Sequence, residues 1–234
     1  MTGAATEKIR LDQLLVNRGL ASSRQKARAM VMAGLVSVGG RPAEKPGTTV
    51  PDSSRIEVRK TDHSYVSRGG LKLEKALDHF QVSVEGMVVL DIGASTGGFT
   101  DCLLKRGAAG VIAVDVGYGQ LDWNLRQDPR VEVRERTNAR FLTPQDLWPP
   151  PDGAVLDVSF ISLKLVVPPV SKLLAETAFM TALIKPQFEA GRGRVGKGGV
   201  VKDPAIHTEI VEALETFFSE TGWNVHGTIP SPIL

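Results

Sequence analysis

Four apolar runs in this 234-residue chain stop at a charged side chain. Val88–Asp91 ends on its own acid, Val111–Val114 meets Asp115, Ala154–Leu156 meets Asp157, and Met180–Ile184 meets Lys185. Short apolar runs of this kind read as buried strands. In sheets of parallel strands, ligands bind beyond the carboxyl ends, so the four charges mark one face for chemistry. After Asp91 the chain turns through Gly93-Ala94-Ser95-Thr96-Gly97-Gly98 into a helix-like run, Phe99–Arg106. Such glycines let backbone N–H groups approach a ligand, and the helix start adds its positive dipole end. The stretch therefore reads as a nucleotide-cofactor site. Asp115 follows Asp91 by 24 residues, near the offset at which an acid holds ribose hydroxyls.

The glycines at 93, 97 and 98 do not spell the dinucleotide fingerprint G-x-G-x-x-G. The loop instead resembles the first motif of S-adenosylmethionine methyltransferases, where it wraps the methionine end of the cofactor. The elements that carry these residues alternate. Strands at Val88–Asp91, Val111–Val114, Val131–Val133, Ala154–Leu156 and Met180–Ile184 are separated by helices at Phe99–Arg106, Leu121–Gln127 and Leu163–Leu174. A last helix covers Pro204–Thr221. Pro168-Pro169 should break or restart the third of these, and Asp203-Pro204 is a good start for the last. Alternation of this kind predicts an α/β fold with a doubly wound, mostly parallel sheet.

Charge divides the chain. Residues 1–66 hold 11 Lys/Arg and 6 Asp/Glu, whereas residues 67–234 hold 17 and 20. A small basic unit on a mildly acidic body suggests a polyanion-binding module joined to an enzyme. No apolar run approaches the roughly 20 residues of a membrane span, and MTGAATEKIR lacks a signal-peptide core. The single cysteine, Cys102, excludes an internal disulfide and reads as a buried helix residue. These features point to the cytoplasm. The four histidines (63, 79, 207 and 226) have no ligand spacing, and no metal is called for.

Within the basic unit, Ile9, Leu11, Leu14 and Leu15 form a helical stripe that ends at Gly19. Ser22 or Ser23 caps a second helix, Arg24–Ala33, with Arg24 and Arg28 on one exposed face and Lys26 off that line. Leu35–Val38 enters a turn at Gly39-Gly40, Lys45-Pro46-Gly47 turns again, and Arg55–Arg59 closes as a strand. The order RLDQLLVNRGLASSRQKARAMVMAGLVSVGGRPAEKPGTTV resembles the S-four RNA-binding domain. The resemblance implies RNA phosphate contacts at Arg10, Arg24, Lys26, Arg28 and Lys45. The expected division is residues 1–60 for this domain, a polar linker at 61–67, and an enzyme body at 68–234.

Taken with SRGGLKLEKAL, DVGYGQL, ERTNAR, DVSFISL and IKPQFEAGR, the chain resembles the TlyA (hemolysin A) group of FtsJ-like ribose 2′-O-methyltransferases over essentially its whole length. The resemblance implies a Rossmann-like fold and transfer of a methyl group from S-adenosylmethionine to cytidine 2′-hydroxyls of ribosomal RNA. It also implies catalytic residues at Lys72, Asp157 and Lys185: Lys185 as base, Asp157 orienting it, and Lys72 steering the hydroxyl. Asp91, Gly93, Ala94, Ser95, Gly97, Gly98 and Phe99 would surround the methionine end, with Asp157 beside them. Asp115 would hold the ribose, and Asn138 would lie on the adenine side. A fourth catalytic residue, a Glu, is expected just past Leu234, which implies a shortened chain. Glu189 occupies a different motif and is not its substitute.

Gly191–Gly198 satisfies G-x-G-x-x-G, but no strand leads directly into it, and it reads as a mobile basic loop near the RNA. The expected partner is ribosomal RNA or a ribosomal subunit, with no membrane, and the chain is expected to be a monomer. Three other readings compete: an oxidoreductase carrying an RNA-binding domain, a membrane-active lysin, and a non-catalytic RNA-binding factor. Thermal shift with S-adenosylmethionine against NAD, and dye release from liposomes, separate the first two from the enzyme reading.

Overall fold

The structure, a computed structural model, describes residues 8–21, 23–32, 34–43, 45–58, 64–191, 193–196 and 198–233. The chain divides into two compact units, residues 1–64 and 65–234. In the first, β1 (Lys8–Arg10) leads into α1 (Leu11–Asn17) and α2 (Arg24–Met32). Short strands follow: β2 (Val36–Val38), β3 (Arg41–Pro42), β4 (Thr49–Pro51) and β5 (Ile56–Val58). β1 pairs with β4, and β2 lies between β3 and β5, all antiparallel. Leu11, Leu14, Leu15, Ala27, Val31, Val36 and Val50 form the core.

Ile9 belongs to β1, opposite Val50, and not to the helical stripe. The helix starts later because Leu11 N–H donates to the Thr48 carbonyl (2.8 Å) and Asp12 N–H to that of Pro46 (3.0 Å). The Lys45–Thr48 turn thus satisfies donors that every helix start leaves open. Ser23 Oγ accepts from Lys26 N–H at 3.1 Å and caps α2. Ser22, Ala33 and Arg59 lie outside the described residues.

The second unit starts with α3 (Gly69–His79), then β6 (Val88–Ile92), α4 (Gly98–Lys105), β7 (Gly110–Val114), α5 (Trp123–Gln127) and β8 (Val131–Arg134). It continues with β9 (Gly153–Leu156), α6 (Leu163–Ser171), β10 (Phe179–Ala182), α7 (Pro186–Glu189) and α8 (Pro204–Glu220). The strands form one parallel sheet in the order β10-β9-β6-β7-β8. Alternate residues face opposite layers. Val89, Val111 and Ala113 pack with α3 and α4, whereas Leu90, Ile92, Ile112 and Val114 pack with α6 and α8. Strand order reverses between β6 and β9, which is where open α/β sheets place their ligands.

Several boundaries differ from the sequence expectation. α6 runs through Pro168 and Pro169 without a break. The carbonyls that lose helical donors are those of Lys164 and Leu165, both exposed residues on the solvent side of the helix. α6 still stops at Ser171, short of Leu174. β10 ends at Ala182, so Lys185 sits on the connection that opens α7 and not at a strand end. Asp122 accepts from Asn124 N–H (3.0 Å), and this cap delays α5 to Trp123. Within the stretch read as a linker, residues 61–63 lie outside the described residues, and Tyr65 is buried in the second unit. Tyr65 donates to Glu74 Oε1 (2.6 Å), and Val66 N–H donates to Asp101 Oδ2 (2.8 Å). No helix among the described residues is long and apolar enough to cross a membrane.

Candidate active site

The carboxyl ends of β6 and β9 meet at Gly93. Its backbone is left-handed (φ 84°), and a Cβ there would come within 2.7 Å of the Asp157 carbonyl oxygen. Asp157 N–H donates to the Ile92 carbonyl at 3.0 Å, so the two strand ends are laced together. Only glycine serves at 93, for both conformation and space.

This lacing delivers the Asp157 side chain between two lysines. Lys185 Nζ lies 2.6 Å from Asp157 Oδ1, and Lys72 Nζ, from α3, lies 3.8 Å from Oδ2. The closer contact is an ion pair off the hydrogen-bonding direction of Oδ1. The aligned hydrogen bond of Lys185 goes to Ser159 Oγ, at 2.8 Å. All three ionic side chains are about one-fifth to one-quarter exposed. They are thus reachable by a ligand and partly shielded from water. With both lysines protonated the trio is cationic, and loss of one proton leaves it neutral.

A cleft of about 310 Å³ opens beside the trio, within the usual range of small-molecule sites. Its wall includes Ser67, Arg68, Gly69, Lys72, Gly93–Thr96, Gly98, Phe99 and Asp157. The starts of α3 and α4 converge there. A Cβ on Gly98 would lie 2.3 Å from Ser67 Oγ and 2.9 Å from the Gly70 nitrogen, so the two helix starts meet through glycines. Both bring the positive dipole end of a helix to the cleft, although at α3 the Gly70 and Leu71 N–H groups already donate to the Ser67 and Arg68 carbonyls (3.2 and 3.1 Å). Arg68 adds a full charge.

Asp91 lies beneath the loop, fully buried. Thr100 donates to its Oδ2 at 2.6 Å, and Oδ1 has no hydrogen-bond partner. Burial pushes its carboxyl up to about 7, and the nearby acids Asp157 and Asp115 add to the shift. Asp115 accepts from the N–H groups of Ser95 (2.8 Å) and Gly117 (2.6 Å) and holds Ser95 in a left-handed conformation (φ 50°). Asn138 accepts from Arg140 N–H (3.1 Å) at the start of the turn Ala139–Phe141, and Thr137 N–H donates to the Asp115 carbonyl (3.0 Å).

Of the residues predicted from sequence, Lys72, Gly93, Ala94, Ser95, Gly98, Phe99 and Asp157 line the cleft. Lys185 reaches it through Asp157. Gly97 does not line it: a Cβ there would meet Leu125 at 2.3 Å and Leu121 at 2.8 Å, so this glycine serves helix packing. Asp115 and Asn138 hold the neighbouring loops by their backbone N–H groups. Sequence reasoning missed Ser159 and Thr100. Each stands two to nine residues from an acid it serves directly or through a lysine, but a lone hydroxyl carries no motif. Glu189 accepts from Ser162 Oγ (2.6 Å) and Leu163 N–H (2.8 Å), which makes it a cap of α6. Cys102 is buried, and burial pushes its thiol up to about 11.

In the first unit, Arg10 and Arg24 both bond the buried Asp12. Arg28 and Lys45 are exposed, and Lys26 is half-buried. In the Gly191–Gly198 segment, Arg192 and Lys197 lie outside the described residues. Arg194 is engaged by Glu209, with NH1 2.7 Å from Oε1, so this arginine is paired within the protein and not presented as a bare charge.

Comparison with known proteins identifies the family of each unit. Residues 65–234 match the model of the FtsJ-like methyltransferase family, and residues 9–56 match the S4 domain. YqxC of Bacillus subtilis, named a candidate rRNA methyltransferase, is 50% identical over 229 residues, covering 97% of this chain and 82% of that protein. The 16S/23S rRNA (cytidine-2′-O)-methyltransferase TlyA of Mycobacterium tuberculosis is 49% identical over 227 residues, covering 97% and 85%. A solved structure from Streptococcus thermophilus, described as a candidate hemolysin, superposes with a TM-score of 0.75 at 46% identity, covering 98% of this chain and 84% of that one. With the family model matched over the whole second unit, the chain belongs to the FtsJ-like methyltransferase family and carries an S4 domain at its N-terminal end.

Proposed function

We propose that the second unit transfers a methyl group from S-adenosylmethionine to the 2′-hydroxyl of a cytidine in ribosomal RNA, while the first unit holds the RNA backbone. The protein would act as a monomer in the cytoplasm. The observation that carries this reading is the convergence of Lys72, Asp157 and Lys185 at the mouth of the cleft. The TlyA relative is named for this reaction.

The residues present fit the cofactor. Its carboxylate suits the paired helix starts and Arg68, and its cationic groups suit a cleft lined by Asp157, with the buried Asp91 beneath the loop. Gly93 and Ser95 shape the loop that such a ligand would lie along. When bound, the cofactor supplies an electrophilic methyl on a sulfonium. A ribose hydroxyl is a poor nucleophile until its proton is removed. Lys185 Nζ, in its unprotonated form, would take that proton, leaving the oxygen free to accept the methyl group the cofactor supplies. Asp157 holds Lys185 in place and offsets the charge that results. Lys72, on the other oxygen of Asp157, directs the hydroxyl. Ser159 fixes the Lys185 amine from the far side. Placement of hydroxyl and methyl in line contributes much of the rate.

In the first unit, Arg28 and Lys45 are the cleanest positions for charge reversal, because Arg24 also stabilises Asp12. The deciding experiment supplies purified protein with labelled S-adenosylmethionine and unmodified ribosomal RNA, then maps the label by mass spectrometry. Label on a cytidine 2′-oxygen supports the proposal. Label on a base, or cofactor binding with no transfer to any ribosomal RNA, overturns it.

A further inference from the structure

Among the described residues of the first unit, Asp12 is the one charged side chain that is fully buried. Burying a carboxylate is costly unless its oxygens are paired. Here both are: Arg10 donates from Nε to Oδ1 (3.1 Å) and from NH2 to Oδ2 (2.9 Å), in the two-pronged arrangement natural to a guanidinium. Arg24 NH2 adds a contact to Oδ2 at 3.3 Å. The Arg10 bonds hold the Asp12 carboxyl down at about 2, against the opposing effect of burial.

The outer faces of both guanidiniums remain open, with side chains 51% and 54% exposed. The Lys45–Thr48 turn is tied to the same helix start by the Leu11 and Asp12 N–H groups. Gly47 of that turn abuts Arg10: a Cβ there would lie 3.2 Å from NH1 and NH2. Two guanidiniums are thus organised from the inside by one carboxylate, beside a turn that the backbone of the same helix start holds.

We propose that Asp12 is a positioning residue: it pre-orients Arg10 and Arg24 beside the Lys45 turn as a clamp for successive phosphates of an RNA backbone. This rests on the RNA-binding reading of the first unit. The gain is preorganisation, since flexible arginines otherwise lose freedom on binding. A purely electrostatic basic surface makes the opposite forecast. Removing the Asp12 charge would then raise affinity, because the unit becomes more positive.

The test measures binding of the full chain to in vitro transcribed small- and large-subunit ribosomal RNA across a KCl series. We expect D12N to weaken binding about tenfold and to lower the salt slope by about 0.7 for each phosphate that the clamp no longer neutralises. Equal or tighter binding by D12N overturns the proposal. Because D12N can impair folding, a second variant carries R10K and R24K, which keep every charge and lose the planar fork. With hydrogen-exchange protection of α1 and α2 intact, this variant should also bind about tenfold more weakly. Wild-type binding by it overturns the proposal independently. R28E with K45E separates the two layers. If that pair leaves affinity and salt slope unchanged, the RNA-binding reading itself falls. If it weakens binding and the charge-keeping pair does not, only the role of Asp12 falls.

Discussion

Each unit is built on a carboxylate held between two cations, and the two differ in burial and in the kind of cation. Asp12 is fully buried and takes two arginines, whereas Asp157 is 21% exposed and takes two lysines. A guanidinium keeps its proton at any physiological pH and offers a rigid fork. An ammonium is a compact charge whose proton can leave. The first cluster is therefore suited to fixing shape and the second to moving a proton, although their net charges are the same.

The sharpest way to break this distinction is K185R, which preserves the charge beside Asp157 and removes the group that can accept a proton. Methyl transfer should fall by about 10²–10⁴, as it should for K185A, the range expected for loss of a general base. Cofactor affinity, read by calorimetry, should change little. A K185R protein that methylates at the normal rate would show that Lys185 only supplies charge.

Titration gives a second contrast, with opposite signs. The Asp91 carboxyl is raised to about 7, so its contribution to stability is fullest below the ordinary carboxylate range. That contribution is lost progressively as pH rises through about 7. The Asp12 carboxyl is lowered to about 2, so its contribution is present above the ordinary range and disappears as pH falls toward 2. All three tryptophans (123, 148 and 223) belong to the second unit, so their fluorescence reports its unfolding alone. Between about pH 4 and pH 7, wild type should lose a few kcal/mol relative to D91N. A flat difference across that window would mean that Asp91 is not neutral in the folded protein.

Two glycines sharpen the comparison further. G93A places a methyl 2.7 Å from a backbone oxygen at a left-handed position, and should cost about 1–3 kcal/mol in urea unfolding together with cofactor affinity. G47A meets the side-chain tip of Arg10 at 3.2 Å, with no backbone oxygen in the way and no left-handed φ, and should cost about 1 kcal/mol or less. Comparable costs would mean that the lysine cluster is no more tightly framed by backbone than the arginine cluster. The smallest effect expected is for E189Q. Loss of the charged cap on α6 should lower stability by about 1 kcal/mol while leaving the turnover number unchanged. A large fall in turnover would give Glu189 a catalytic role beyond that of a cap.

Much of this was legible before any coordinates. Charged ends on short apolar runs located the face where Asp115 and Asp157 emerge, because a buried parallel strand announces itself locally; Asp91 instead lies inside β6, which continues to Ile92, and is fully buried. The glycine loop after Asp91 was legible for the same reason. The roles of its glycines were not. Gly97 and Gly98 read alike in sequence, yet one makes room for Leu125 and the other for the start of α3. Lys72 could be named only through family resemblance, since by its own neighbours it is one lysine on a helix surface. Asp12 sat in a recognisable motif without any sign that it is buried or that it shares two arginines.

Residue chemistry and periodicity, which are local properties, determined the parallel sheet, the basic first unit, and which groups were capable of binding phosphate or exchanging a proton. Only the tertiary structure decided that Lys72, Asp157 and Lys185 act together. They stand 85 and 28 positions apart and meet because strand order reverses between β6 and β9 while α3 packs against α4. A pattern read along one segment holds no record of which distant segment will lie beside it. Close packing sets that partner, through contacts as specific as a carbonyl oxygen resting where the Cβ of residue 93 would be.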